Sequence, residues 1–202
     1  MTLCMLVRHA THDLVDRVLV GRMGGVSLGE TGRQQAADLA RGLAGLGITN
    51  VQSSPRERAM ETAVAIARRA NLPIETCPAL DEVDCGRWTG RAFAELAEDP
   101  RWAEWNRNRA RARPPGGESM VEVQARIVAH LRDVHAAHPS GRVVMVTHAE
   151  IIRCAVLHCL SLPLDAWSRI DVPPASVAML DMRARTFTLI SLSGGAAAAA
   201  IA

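Results

Sequence analysis

Leu3 to Val7 is a continuous apolar run, and it limits what this chain can fold into more than any other stretch. Bounded by polar residues and too short for a helix, it reads as a strand buried on both faces. Such a strand belongs inside a parallel sheet with helices above and below it. Arg8 and His9 follow directly. Side chains at the carboxyl end of an interior strand emerge into the crevice where open α/β sheets bind ligands. An arginine and a histidine placed there together are candidates for chemistry.

The rest of the chain bears on whether such a sheet can be completed. Its 202 residues are 49% hydrophobic, enough to bury one substantial core. The expected organisation is a single domain over residues 1–193, with 91–118 as a cap-like insertion and 194–202 as a frayed Ala-rich tail. A net charge of +2 gives no sequence-wide field that would recommend nucleic acid or an anionic membrane as partner. Cys4, Cys77, Cys85, Cys154 and Cys159 make an odd count without a Cys-x-x-Cys pair, which suits a reduced, cytoplasmic protein. No signal-peptide pattern opens the chain, and no uncharged stretch approaches the ~20 residues a membrane helix needs.

Further elements follow from punctuation and period. Ser27-Leu28-Gly29-Glu30, Ser54-Pro55-Arg56-Glu57 and Ser119-Met120-Val121-Glu122 each have capping-box spacing and open helices, the second with proline at its first position. Ile48–Ser53, Ile74–Cys77 and Arg142–Thr147 read as strands, and Val177–Asp181 with Thr186–Leu192 as a closing hairpin. Two short helices are expected between Arg91 and Arg113, and another over Ile151–Cys159. The result is a three-layer α/β/α sandwich, mostly parallel, with an antiparallel C-terminal edge.

Three strand ends then carry candidate chemistry: Arg8 and His9, Arg58 in the first turn of a helix after the second strand, and His148 after Thr147. Two arginines present planar forks of donors to a tetrahedral dianion, while a neutral imidazole can attack phosphorus in line. Glu82, with Asp81 and Asp84 as rivals, could protonate a leaving oxygen. No phosphate loop and no His-Glu-x-x-His helix is present, so positive charge would come from side chains, with no metal or cofactor expected. Cys154 and His158 share a helical face but read better as buried packing. His130, His135 and His138 read as solvent-facing. The segment Arg101–Arg113, interleaved with Trp102 and Trp105, reads either as a solvated face over packed tryptophans or as a cap that selects a second anionic group.

Leu6-Val7-Arg8-His9-Ala10, Ser53 to Ala59 with Thr62-Ala63, Leu80-x-Glu82 with Gly86-x-Trp88-x-Gly90, and Val146 to Ala149 with Ile152-Arg153 together resemble the histidine phosphatase superfamily, the phosphoglycerate-mutase-like group, in its branch of small phosphatases. The likeness runs in family order from about Leu3 to Leu192. It implies that His9 is the nucleophile, that Arg8 and Arg58 clamp the phosphoryl oxygens, that His148 is a second pocket histidine donating to a phosphoryl oxygen, and that Glu82 is the proton donor. After Arg-His the family commonly has Gly-x-Thr or Gly-x-Ser, with an asparagine slightly further on. Here Ala10, Thr11, His12 and Val15 stand in that stretch, so His12 and Val15 remove an expected hydroxyl and amide. Thr11 becomes the candidate hydroxyl, and Arg22 a further candidate substrate contact.

The function implied is metal-independent hydrolysis of a small phosphorylated metabolite through phosphohistidine. A phosphoglycerate-type mutase is the first alternative. A non-catalytic phosphate-binding or scaffold protein is the second. The expected partner is the small phosphorylated substrate, with a homodimer left open.

Overall fold

The computed structural model describes residues 1–183 and 186–193; the Ala-rich tail lies outside them. Six strands, β1 (Thr2–Arg8), β2 (Asn50–Ser53), β3 (Ile74–Thr76), β4 (Arg142–Thr147), β5 (Val177–Arg183) and β6 (Thr186–Ser193), form one sheet in the order β3-β2-β4-β1-β5-β6. The first four run parallel to their neighbours among themselves. β5 joins β1 antiparallel and β6 closes the edge antiparallel to β5.

The unbroken apolar run of β1 is explained by the layers on either side. Cys4 and Leu6 pack among Val123, Ile127 and Leu131 of α5 (Met120–Ala137) and Ile151 and Ala155 of α6 (Ala149–Cys159). Met5 and Val7 face the other way, onto Leu39 and Leu43 of α1 (Glu30–Leu43) and Ala63 and Ile66 of α2 (Glu57–Ala70). Alternate side chains thus enter different cores, so every position from Cys4 to Val7 must be apolar. Removing one such side chain, as in Ile127→Ala, costs about 2–5 kcal/mol. No helix among the described residues is long and apolar enough to cross a membrane.

The helix starts differ from the capping-box expectation in an instructive way. Only Ser119 forms one: its hydroxyl accepts from the Glu122 amide, and Glu122 reaches back to the Ser119 amide. α1 begins at Glu30 behind Gly29 with no side-chain cap, and the Leu28 amide ahead of it donates to Glu61 of the neighbouring helix. α2 begins at Glu57, with Pro55 outside it and Arg56 as the capping position. Tertiary partners have taken over the local ones, and Ser54 is thereby released to face the candidate site. At its other end α2 stops where expected, Asn71 adopting the left-handed conformation at φ 54°.

The histidines expected to face solvent on α5 do not. His130 is half-buried against the Gln52 side chain, 2.9 Å away, and His135 Nδ1 lies 2.9 Å from the Thr2 hydroxyl. They tie the helix to the sheet.

Between β3 and α5 the chain makes a long excursion containing two short helices, α3 (Phe93–Ala97) and α4 (Pro100–Arg107). It is pinned by the Pro114–Gly117 turn, which donates to and accepts from the segment at Asp84–Arg87: the Arg87 amide reaches the Pro115 carbonyl and the Glu118 amide the Asp84 carbonyl. Gly86, at φ 51°, lies so close to that turn that a Cβ would run into the Pro115 carbonyl. The backbone carrying Glu82 is held in place by this contact.

Candidate active site

β2, β4 and β1 are neighbours in the sheet, so their carboxyl ends converge. The end of β1 delivers Arg8 and His9, the turn from β2 into α2 delivers Ser54 and Arg58, and the end of β4 delivers His148. The His9 amide donates to the Thr147 carbonyl at 2.9 Å and the Ser54 amide to the Val146 carbonyl at 2.9 Å. The three ends are therefore knitted together through the sheet's own hydrogen bonds continued one residue beyond it.

His9 is 3% exposed. Its Nδ1 lies 2.8 Å from the Ala10 carbonyl, which can only accept, so the proton sits on Nδ1 and the lone pair on Nε2. Arg58 Nε donates toward that lone pair at 3.3 Å. Burial, followed by the charge of Arg58, drives the His9 pKa well below the usual histidine range, and the same two causes act on His148. Both rings are neutral at pH 7.

Arg58 stands between them. One of its terminal nitrogens donates to the Gly21 carbonyl at 2.8 Å and lies 3.2 Å from His148 Nδ1. The other, Nη1, is buried without a partner, as is Arg8 Nε. Arg8 is anchored through Nη1 to the Val172 carbonyl at 2.6 Å. Burial lowers the pKa of both guanidinium groups while Glu82 pulls in the opposite direction. Two cations held in low dielectric with unpartnered donors form a site that an anion would relieve.

Glu82 faces the same space, its Oε2 3.6 Å from His148 Nδ1. Burial pushes its carboxyl up to about 7, against the opposing pull of Arg58. Of its two rivals, Asp81 is occupied by a two-pronged ion pair with Arg56, at 2.7 and 2.6 Å. Asp84 caps the Gly86 amide at 2.9 Å. Together Arg8, His9, His12, Arg58, Glu82 and Glu150 are among the walls of a cavity of about 240 Å³.

The structure brings five of the seven sequence-derived site residues together here: Arg8, His9, Arg58, Glu82 and His148. Thr11 and Arg22 are placed elsewhere. The Thr11 amide bonds to Gln35, and its carbonyl lies against Gly32, where any Cβ would collide with it. Arg22 donates to the Glu82 carbonyl at 2.7 Å and to Glu118 at 2.7 Å, so it holds the backbone of Glu82 from behind. His12, which the sequence presents as a loss, is in the wall: its ring stacks on His9 with centroids 5.4 Å apart and planes at 25°. Its Nδ1 accepts from the Leu14 amide at 3.3 Å, leaving the proton on Nε2, and burial brings its pKa down to about 4.

With this geometry in view, the similarity to known proteins is informative. A family model described as the histidine phosphatase superfamily, branch 1, matches residues 4–193. The chain belongs to this superfamily. It is 29% identical over 194 residues to Phosphoserine phosphatase 1 of Hydrogenobacter thermophilus, covering 94% of this chain and 90% of that protein. It is 31% identical over 181 residues to "Probable phosphoglycerate mutase GpmB" of Cronobacter sakazakii, covering 87% and 83%. The solved native structure of a mycobacterial glucosyl-3-phosphoglycerate phosphatase superposes with a TM-score of 0.82 at 27% identity, covering 95% of this chain and 96% of that one. The chain is thus a histidine phosphatase with the fold of its relatives and the activity class of a phosphoric monoester hydrolase.

Sequence reasoning missed three groups in this histidine phosphatase. Ser54 has the sequence spacing of a helix cap, but its hydroxyl lies 2.8 Å from His148 Nε2 and 3.5 Å from Asp81. Behind it stands the Arg56–Asp81 pair, of which the sequence offers only Asp81, as a rival to Glu82. Glu150, two residues after His148, bonds Arg153 of its own helix at 2.7 Å and Arg109, 41 residues earlier in the chain, at 2.9 Å. The pair with Arg153 has the local i, i+3 spacing of one helix, but no local spacing could have signalled Arg109.

Proposed function

We propose that this enzyme hydrolyses a phosphomonoester without a metal, through a phosphohistidine at His9. The observation that carries the proposal is the state of His9: neutral, with Nδ1 held by Ala10 and the Nε2 lone pair facing Arg58, in a cavity whose walls also hold the unpartnered buried donors Arg58 Nη1 and Arg8 Nε. A phosphate dianion drawn to those donors takes over Arg58 from the lone pair and brings phosphorus against Nε2. The Nε2–P bond forms as the P–O bond to the leaving group breaks, and Glu82, protonated up to about pH 7, gives its proton to the leaving oxygen. Water then attacks the phosphohistidine with Glu82 as base. Inorganic phosphate departs and neutral His9 is restored.

His148 serves this cycle through its freedom to change tautomer. The Ser54 hydroxyl can accept from Nε2–H or donate to Nε2, so either form is satisfied at that end. Once the phosphate draws the Arg58 guanidinium away from Nδ1, and with Ser54 donating to Nε2, Nδ1–H can give its hydrogen bond to a phosphoryl oxygen. His12 Nε2–H supplies a further neutral donor in the position the resemblance would give to a hydroxyl. The Arg8 and Arg58 charges fill the part a divalent cation plays in other phosphatases. Five free thiols, four of them buried, suit a reducing compartment, and we assign the enzyme to the cytoplasm.

The decisive experiment is a single-turnover reaction in excess chelator. Wild type should release phosphate from an aryl phosphate and pass through an acid-labile, base-stable phosphoenzyme. His9→Ala should lose both, with activity falling on the order of 10³-fold or more. Turnover that stops with chelator and returns with magnesium would overturn the reading. Accumulation of a phosphoenzyme that transfers only to a phosphoglycerate would favour a mutase.

A further inference from the structure

A second cavity of about 230 Å³ adjoins the catalytic one, and Leu19, Gly21, Glu82, Phe93, Glu150 and Arg153 are common to the walls of both. Its composition is unlike that of the rest of the chain. The protein has only six aromatic residues apart from histidine, four Trp and two Phe, and four of them, Phe93, Trp102, Trp105 and Trp167, line this space. Trp88 packs edge-on behind Trp102 and Trp105, at centroid distances of 5.4 and 5.8 Å. Nearly all of the chain's planar apolar surface is therefore gathered beside the carboxyl that would protonate the leaving group.

The charges in this cavity are already engaged with one another. Arg109, 3% exposed, lies 3.4 Å over the Trp105 ring and 4.0 Å over that of Trp167. Its two terminal nitrogens donate to Glu150 and to the Asn106 side chain, both at 2.9 Å. Arg153 donates to the other oxygen of Glu150 at 2.7 Å and to the Ile170 carbonyl at 3.0 Å. Burial raises the Glu150 pKa, but Arg109 and Arg153 outweigh it and keep the group a carboxylate. The basic run that surrounds Arg109 in sequence turns outward: Arg101 pairs with Asp99, Arg107 with Glu104 and Arg113 with Glu122. An entering carboxylate or second phosphate would find no free two-pronged fork at Arg109 and would meet the Glu150 charge at the shared wall.

We propose that this cavity receives the leaving group, and that the substrate is the phosphate ester of an uncharged alcohol with a flat aromatic or heteroaromatic body. This deepens the phosphatase reading of the catalytic cavity and rests on it. The partly exposed rings of Trp102 and Phe93 supply apolar surface for a planar group, with the Arg109-covered rings of Trp105 and Trp167 completing the wall. The unpartnered donors Arg109 Nε and Trp105 Nε1 in the same walls suit an oxygen or ring nitrogen on it. Joined, the two cavities reach the ~300–1,000 Å³ range of small-molecule sites, which neither does alone.

The test compares esters of alcohols of similar acidity on the wild-type enzyme: 2-naphthylmethyl phosphate, glycerol phosphate, phosphoserine and 3-phosphoglycerate. The naphthyl ester should show kcat/KM at least tenfold above each of the others, and 2-naphthalenemethanol should inhibit competitively where 2-naphthoate does not. Trp102→Ala should raise KM for the naphthyl ester roughly tenfold and narrow its preference. Glu150→Gln should increase kcat/KM for 3-phosphoglycerate relative to wild type. If wild type turns over phosphoserine or 3-phosphoglycerate as well as the naphthyl ester, or if naphthoate inhibits as well as the alcohol, the assignment is wrong while the phosphatase reading stands. If no ester is hydrolysed and His9 is never phosphorylated, the phosphatase reading itself has failed. The inhibition arm needs no variant, so a Trp102→Ala protein that does not fold leaves the proposal open to refutation.

Discussion

Two cavities of nearly equal volume, about 240 and 230 Å³, share a wall and are built on opposite principles. The catalytic one is made of buried ionisable groups fixed at the ends of β1, β2 and β4, with donors left unsatisfied. The aromatic one is made of rings from α3, α4 and the turn near Trp167, with its charges paired off. The first stores electrostatic cost that a bound anion relieves, so on the proposed reading it acts on the phosphoryl group whatever the ester. The second is electrostatically quiet and can discriminate only by shape and by excluding charge. On the two proposals above, chemistry and selectivity are separated in space, with Glu82 and Glu150 in the shared wall.

This separation is exposed to direct attack. The largest effect should come from Arg58→Ala, which removes a clamp donor and the charge between His9 and His148. kcat should fall ~10²–10³-fold on every ester alike, while the His9 and His148 pKa values, read by NMR, rise because Arg58 holds them down. A loss confined to one ester would erase the distinction between the cavities. Next, Glu82→Gln should slow alkyl esters roughly 10²-fold and nitrophenyl phosphate far less, since a good leaving group needs no proton. In the wild type kcat/KM on alkyl esters should decline above about pH 7 as Glu82 ionises, after allowing for the ester's own ionisation near pH ~6. Glu82→Gln should lack that decline. Equal losses on both esters would remove the acid role from Glu82.

A smaller effect, roughly tenfold in kcat, is expected for Ser54→Ala, because His148 loses the partner that satisfies either tautomer. Ser54→Thr should recover much of it, whereas a hydroxyl that merely packs would not be missed in kcat.

The smallest effect is on stability. His12 titrates near 6.5 unfolded but about 4 folded, and His9 and His148 are depressed as well. Between those values the unfolded chain binds more protons, so stability should fall as pH drops from about 6.5 toward 4. Glu82 acts oppositely, its folded pKa of about 7 lying above the ordinary 4.5, so its contribution is present at low pH and lost as pH rises through 7. Urea midpoints should therefore be lower at pH 5 than at pH 7, and the drop should be steeper in Glu82→Gln. A flat midpoint would mean that the buried imidazoles are not neutral.

How much of this was legible in advance depended on distance along the chain. The both-faces-buried β1, the order of elements, the antiparallel edge and the convergence of Arg8, His9, Arg58, Glu82 and His148 follow from hydrophobic period, turn residues and motif spacing, because those signals are local or repeat in family order. Two of three capping boxes failed, since a cap contributes only ~1 kcal/mol and tertiary partners such as Glu61 and His148 displaced it. His12 looked like a loss because residue type alone cannot show that its ring would stack on His9. Arg109 looked like one basic residue among five, and only the packing of Trp105, Trp167 and Glu150 around it separates it from its outward-turned neighbours. By itself, then, the sequence determined the sheet, its layers and the candidate site residues that the fold gathers around the strand ends. The tertiary structure alone decided which charges are paired and which are left free, because pairing at 3 Å depends on side chains brought together from opposite ends of the chain, and that sets what the enzyme would accept.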